Sequence, residues 1–269
     1  MIIRYPTIAA LADAFEQLGC LRLGHGDNWF NSEDTPTSLR KCRFGDTSLV
    51  PQAEAALAQL DQQIETPRRS WDRSPAGAFC VVPDVLAGLP TPMRRQVYMQ
   101  DERAPITILV DVGSSAAVSS ETLKLRGITI LALVMALSRI RPVTLYQLDV
   151  ASGRKDGESI LITPINTTPL DLATACYVLT SSGFSRGIVM PVEERINGHS
   201  GGWPKEFNYF GDSLIYYRKR LPLLGFEEKQ TLIVPAAKAN DELIKQPLVW
   251  IKRQIERFTA EQQAEDLVS

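Results

Sequence analysis

The chain has 269 residues with 29 Lys and Arg against 31 Asp and Glu, a formal net charge of -2, and 44% hydrophobic residues. Mean hydropathy is -0.08 and the isoelectric point about 5.8, so the composition is that of a globular protein with a sizeable core, and any nucleic-acid site has to be a local basic patch. The longest apolar run, Ile128 to Leu137, is far shorter than the roughly 20 residues that span a bilayer, and the first residues lack the pattern of a signal peptide; the expectation is a cytoplasmic protein without a membrane segment. The four cysteines (Cys20, Cys42, Cys80, Cys176) show no metal-ligand spacing and read as free thiols. With only His25 and His199, zinc hydrolysis and His-based triads lack raw material.

In chain order, Ile8 to Leu18 has helical apolar spacing, opened by Thr7 and closed by Gly19. Gly24 to Gly45, rich in Gly, Asn, Asp, Ser, Thr and Pro around Trp29-Phe30, reads as a long loop containing the basic stretch Arg40-Lys41-Cys42-Arg43. Gln52 to Ile64 reads as a second helix, and the Pro-bounded, basic stretch from Glu65 to Pro75 as a linker. Ile106 to Val110 is a β-branched apolar strand of the kind a covered sheet requires. It runs into the small-residue elbow Asp111-Val112-Gly113-Ser114-Ser115. Ser119, Ser120 and Glu121 then open a helix whose Ile128 to Leu137 portion is apolar nearly all round and must be buried. After Arg139-Ile140-Arg141-Pro142 breaks it, Val143 to Leu148 returns as a parallel strand.

Ser159 to Ile165 reads as another strand, Asp171 to Leu179 as a helix after Pro169, and Thr231 to Pro235 as the last buried strand. A final helix spans about Asp241 to Glu261, disturbed early by Pro247, before a frayed polar tail from Ala260. Alternating strands and helices predict one α/β domain, a three-layer, mainly parallel sheet that is Rossmann-like and distantly von Willebrand A-like. Its N-terminal helical and loop part covers about 1–75, its sheet core 76–260 and its flexible tail 261–269, with irregular insertions in the N-terminal part and at 185–225.

Two constellations carry chemistry. Arg68, Arg69 and Arg73 surround Trp71, and the pairing recurs where Trp203, Lys205, Phe207, Tyr209, Phe210, Tyr216 and Tyr217 precede Arg218-Lys219-Arg220. Interleaved cations and rings are what a single strand of nucleic acid needs, because bases stack on the rings while guanidinium and ammonium groups follow the phosphates. Arg94 and Arg95, with Arg139 and Arg141, could complete such a groove; the competing reading is core aromatics and a solvated basic face. The second constellation, Asp111 to Ser115 at a strand end, lies where open α/β sheets bind ligands. It resembles the Asp-x-Ser-x-Ser metal site of von Willebrand A domains with Gly113 in place of the first serine. The alternative reading of this elbow is a tight turn in which Asp111 satisfies backbone donors. Spaced phosphate-loop glycines and their lysine are missing.

The segment Val82-Pro83-Asp84-Val85-Leu86-Ala87-Gly88-Leu89-Pro90, with Met93-Arg94-Arg95, Ile106 to Asp111, Ser114-Ser115, Arg126-Gly127, Ala132-Leu133 and Arg141-Pro142-Val143, resembles a family of bacteriophage proteins. Within it, the chain is similar to the single-stranded-DNA-binding transcription regulators of schitoviruses, lytic phages that carry a virion RNA polymerase. The likeness is strongest over about 65–150. It implies sequence-independent binding of single-stranded DNA, a homo-oligomer, help in bringing a phage RNA polymerase to unwound DNA, and residence in the cytoplasm of the infected host. It supplies no binding residues. The resulting expectation is a non-catalytic binding protein without cofactor or bound metal, contacting DNA through Arg68, Arg69, Trp71, Arg73, Arg94, Arg95, Trp203, Lys205, Tyr209, Arg218, Lys219 and Arg220. The competing classes are a metal-site protein or hydrolase using Asp111 and Ser115, and a non-catalytic phage scaffold.

Overall fold

The computed structural model describes residues 1–21, 33–61, 69–74, 79–80, 82–98, 105–114, 118–152, 158–167, 170–197, 213–238 and 241–266. Its centre is strand β5 (Ile106–Asp111), followed by helix α5 (Ser120–Ser138) and strand β6 (Val143–Ser152), which pairs parallel to β5 from Ile106↔Val143 to Asp111↔Leu148. The strand, crossover helix and parallel strand read from the sequence are all present. Ser119 caps α5 by accepting from the Thr122 amide, and Ile130 to Val134 are completely buried. Burying such aliphatic side chains contributes roughly 1.5 to 3 kcal/mol each, so this helix anchors the core.

The remaining strands complete a five-stranded sheet. Strand β7 (Glu158–Ile165) runs antiparallel to β6, β1 (Ile2–Arg4) lies parallel to β7, and β8 (Thr231–Val234) lies parallel to β5 on the other side, giving the order β1-β7-β6-β5-β8. Side chains alternate between the faces of a strand. Ile108 and Val110 join the larger core cluster, which takes in helices α1 (Ile8–Gln17), α2 (Thr35–Phe44), α3 (Val50–Asp61), α5 and α6 (Leu172–Thr180). Leu109, Leu148 and Ile233 face the other way, against Tyr216, Tyr217, Leu221 and Leu224 of α9 (Ser213–Leu224). The protein is therefore a three-layer α/β fold.

A separate antiparallel ribbon of order β2-β4-β3 is formed by β2 (Arg69–Ser74), β3 (Phe79–Cys80) and β4 (Met93–Tyr98), with the short helix α4 (Val82–Leu86) between β3 and β4. Its first strand replaces the linker expected over Glu65 to Pro75. The long loop expected up to Gly45 is corrected as well: Asp34 caps α2 through the Thr37 amide, a proline stands in its first turn, and only Ser38, Leu39 and Cys42 are buried. That is too sparse an apolar stripe for periodicity to announce. Trp29-Phe30 lies outside the described residues. Of the part expected to be irregular, 185–225, the described residues are largely helical: after α7 (Ser182–Phe184) come a π-helical turn (Ser185–Val189), α8 (Met190–Asn197) and, from Ser213, α9. At the C-terminus, Pro247 divides α10 (Glu242–Lys245) from α11 (Pro247–Asp266), and the helix continues to Asp266 where a frayed tail was expected.

Helix α5 crosses α6 at Gly127, where an added Cβ would meet the Leu179 carbonyl oxygen at 2.2 Å and Thr180 Cγ2 at 2.6 Å. Backbone cannot move aside cheaply there. Gly127→Ala is expected to lower unfolding free energy by about 1 to 3 kcal/mol despite its better helix propensity. Chemical denaturation of the two proteins checks this.

Candidate functional site

The ribbon is where the structure gathers the basic and aromatic positions. In its register Arg69 opposes Tyr98, Trp71 opposes Gln96, Arg73 opposes Arg94, and Phe79 also opposes Arg94. Directly opposed residues share a sheet face and the period is two. One face thus carries the positions of Arg69, Trp71, Arg73, Arg94, Tyr98 and Phe79, while Asp72 and Arg95 oppose each other on the reverse. Arg95, also predicted from the sequence, stands on the reverse opposite Asp72, and Tyr98 and Phe79 share the face of Arg69, Trp71 and Arg73.

The second basic cluster divides. Arg218 and Lys219 are exposed on α9, and Arg218 reaches Glu228 at 3.5 Å. Arg220 instead lies over the Tyr216 ring, 3.6 Å from its centroid, with its Nη1 donating to the Tyr216 carbonyl at 3.4 Å. Because Tyr216 is buried, Arg220 covers a core aromatic. Arg218 also borders a cavity of about 320 Å³ whose wall includes Trp250 and Arg257. Arg68, Trp203, Lys205 and Tyr209 lie outside the described residues. The other sequence cations have local roles: Lys41 pairs with Glu33 at 2.8 Å and Asp46 at 2.7 Å, Arg43 with Asp13 and Glu16. Arg139 and Arg141 precede β6, at the opposite end of the strands from Asp111.

A polar cluster that the sequence did not announce surrounds the Asp111 elbow. The Gly113 amide donates to Asp111 Oδ1 at 2.8 Å and the Tyr217 hydroxyl to Oδ2 at 2.8 Å, so Asp111 does satisfy the backbone of the turn. A Cβ on Gly113 would sit 2.9 Å from Asp111 Oδ1 and 2.8 Å from Asp149 Oδ1, which shows how closely the two carboxyl groups flank this residue. Glu193 of α8 is 3% exposed and its Oε1 has no hydrogen-bond partner. Arg126, 2% exposed, donates from Nη2 to the carbonyls of Asp111 at 3.1 Å and Pro235 at 2.6 Å, tying the ends of β5 and β8 together.

Burial pushes the Asp111 carboxyl up to about 6, against the pull of Tyr217, the Gly113 amide and Arg126. Asp149 and Glu193 lie well above the ordinary carboxylate range, first through burial and then through the neighbouring acids. Among the described residues no group of three or more His, Cys, Asp or Glu side chains is placed to hold a metal ion. Ser115 lies outside them. Asp149, Glu193, Tyr217 and Arg126 are far apart in the chain, and no local spacing announces the cluster.

Because Asp111 holds its proton to a higher pH when folded than an unfolded aspartate does, its contribution to stability falls between about pH 4 and pH 6. Tyr217→Phe deletes the donor that offsets this loss. The variant is expected to be destabilised by about 1 to 3 kcal/mol at pH 7, and by less at pH 5, where Asp111 is largely protonated. Urea unfolding at the two pH values reads the difference.

No curated protein and no solved structure matches the chain. Residues 1–212 match the family described as domain of unknown function DUF7192, a stretch that takes in the ribbon, β5 to β7 and α8, and the chain belongs to that family.

Proposed function

We propose that this protein binds single-stranded DNA without sequence preference, with the Arg69, Trp71, Arg73, Arg94 and Tyr98 face of the ribbon as its principal contact surface. The observation that carries the reading is the register of β2 on β4. Arg73 stands directly opposite Arg94, and like charges in that position destabilise a sheet. A phosphate between them reverses the sign of the interaction. The reverse face has the opposite arrangement, with Asp72 across from Arg95, so the unbalanced positive charge is confined to the face that also holds the rings. A chain of net charge -2 can bind a polyanion when its cations are concentrated in this way.

Single strands are favoured over duplex because unpaired bases can stack on Trp71 and Tyr98. Exposed Lys219 on α9 is a further cation for the polyanion, and a homo-oligomer aligns several ribbon faces along one strand, raising avidity through effective concentration. By the resemblance read from the sequence, the role is a phage one, with a phage RNA polymerase as partner on unwound DNA in the infected cell.

Fluorescence anisotropy with a labelled oligothymidine and a duplex of equal length tests the proposal. Binding is expected to favour the single strand and to weaken as salt rises. Arg73→Ala with Arg94→Ala should reduce affinity alike for all sequences and lower the logarithmic salt slope by about 0.7 per lost phosphate contact. Trp71→Ala should remove roughly 1 to 3 kcal/mol, whereas Asp72→Asn on the reverse face should not weaken binding. Equal affinity for duplex and single strand, or full affinity in the double arginine variant, excludes this face as a single-strand site.

A further inference from the structure

The outer edge of β8 carries main-chain groups that the sheet leaves over. Ile106 donates its amide to the Pro142 carbonyl and Val112 to that of Leu148, so the even-numbered residues of β5 turn their main-chain groups toward β6 and the odd-numbered ones toward β8. The β5–β8 ladder runs from Thr107↔Thr231 to Val110↔Val234. Leu232 and Val234 therefore bond back to β5, while the amide and carbonyl of Ile233 and the carbonyl of Thr231 point away from it. The Thr231 amide closes a turn onto the Glu228 carbonyl. Among the described residues no hydrogen bond from another element reaches those outward groups, although Thr231 and Ile233 are only 3% and 7% exposed. Main-chain groups so enclosed are nearly always paired, and a row of them at strand spacing is a template for one more strand.

This edge borders the cavity of about 320 Å³ already described. Helix α9 walls it on one face of the sheet with Leu214 and Leu221, and α10 and α11 wall it on the other with Leu243 and Trp250. Flanking helices keep a second sheet from coming within the roughly 4.8 Å that strand pairing needs, so a second copy of the β8 edge does not fit. A single extended peptide does. Its alternate side chains fall on the α9 wall and on the α11 wall, both of them apolar beside the strand. The charged part of the lining has a sign preference. Glu242 is held by both Nη atoms of Arg253, and Asp241 accepts from the Lys238 amide. That leaves Arg218 and Arg257, on opposite walls, with Glu228, which lies 3.5 Å from the Arg218 Nε. Two guanidinium groups to one acid suit a guest with a carboxylate.

We propose that the β8 cleft takes an extended peptide segment of a partner protein as an added strand of the five-stranded sheet, a segment apolar at alternate positions and carrying an acidic residue that meets Arg218 and Arg257. Main-chain bonds to Ile233 and Thr231 supply affinity that does not depend on the guest's sequence. The two apolar walls and the guanidinium groups supply the selection. The inference stands whether or not the ribbon binds DNA.

Amide hydrogen exchange followed by NMR on the full chain tests it, with an end-blocked peptide of alternating valine and threonine that has a glutamate at each end. In the free protein the Ile233 amide should exchange at least about tenfold faster than those of Leu232 and Val234, and the peptide, at about 1 mM or below, should slow it by a similar factor. Methylating the valine amides of the peptide, or the threonine amides, should abolish binding in one case and spare it in the other, because only one alternate set faces β8. Arg218→Glu, a change at an exposed position, should weaken the glutamate peptide several-fold and strengthen a version with lysine at each end. An Ile233 amide as protected as its neighbours in the free chain, or one whose exchange the peptide leaves unchanged, overturns strand addition. Equal binding of both methylated peptides overturns it too, since that is apolar adhesion without an edge. Equal affinity of the glutamate and lysine peptides for the wild type overturns the acidic guest.

Discussion

Burial of β5 on both faces is the constraint from which the rest follows. Ile108 and Val110 feed one core cluster and Leu109 the other, so helices must cover the sheet on each side. A strand enclosed in this way has only its ends for polar business. At the C-terminal end, Asp111, Gly113 and Ser114 run on toward β8 through the pairing of Ser114 with Ala237, and the polar groups there are turned inward to Tyr217 and Arg126. The same enclosure that stabilises the sheet raises the proton affinity of its acids.

The division of charge follows from this architecture. Cations in the core region are mostly matched locally, as with Lys41 between Glu33 and Asp46 or Arg253 held by both oxygens of Glu242. Ion pairs of this kind fix geometry more than they add affinity for a ligand. The ribbon differs, because a two-residue period places Arg69, Arg73 and Arg94 on one side and sets Asp72 opposite Arg95 on the other. A nearly neutral chain can thereby present a concentrated basic surface.

The sheet core was legible in the sequence because a fully buried strand and helix demand uninterrupted apolar runs, and Ile106 to Val110 and Ile128 to Leu137 have no other use. Thr7 and Ser119 marked helix starts through chemistry that is local in the chain, whereas Pro247, read as a disturbance within one helix, begins α11. Helix α2 was hidden by its few apolar residues, and β2 by Arg, Ser and Asp, which resemble a linker until β4 is seen beside them. Among the basic and aromatic residues, Trp71 and Arg73 stood out by composition. Which of Arg94 and Arg95 shares their face depends on register, and register is a property of two strands. The inward turn of Arg220 onto Tyr216 likewise depends on which side of α9 meets the sheet. The acid cluster was the least visible feature, since β5, β6, α8 and α9 each contribute one member.

The pairing of β1 with β7 has a consequence for the order in which the molecule assembles. Ile2 meets Ile160 and Arg4 meets Ile162, so β1 has its sheet partner far downstream in the chain. Contacts of such sequence separation form late, because a large loop has to close before they are rewarded. During synthesis the β5-α5-β6 unit can collapse on its own while β1 waits for β7 to emerge. Until β1 docks on it, the outer edge of β7 is a bare row of amides and carbonyls, the kind of surface that pairs with a neighbouring nascent chain. Ile2 to Arg4 thus act as a cover strip for that edge.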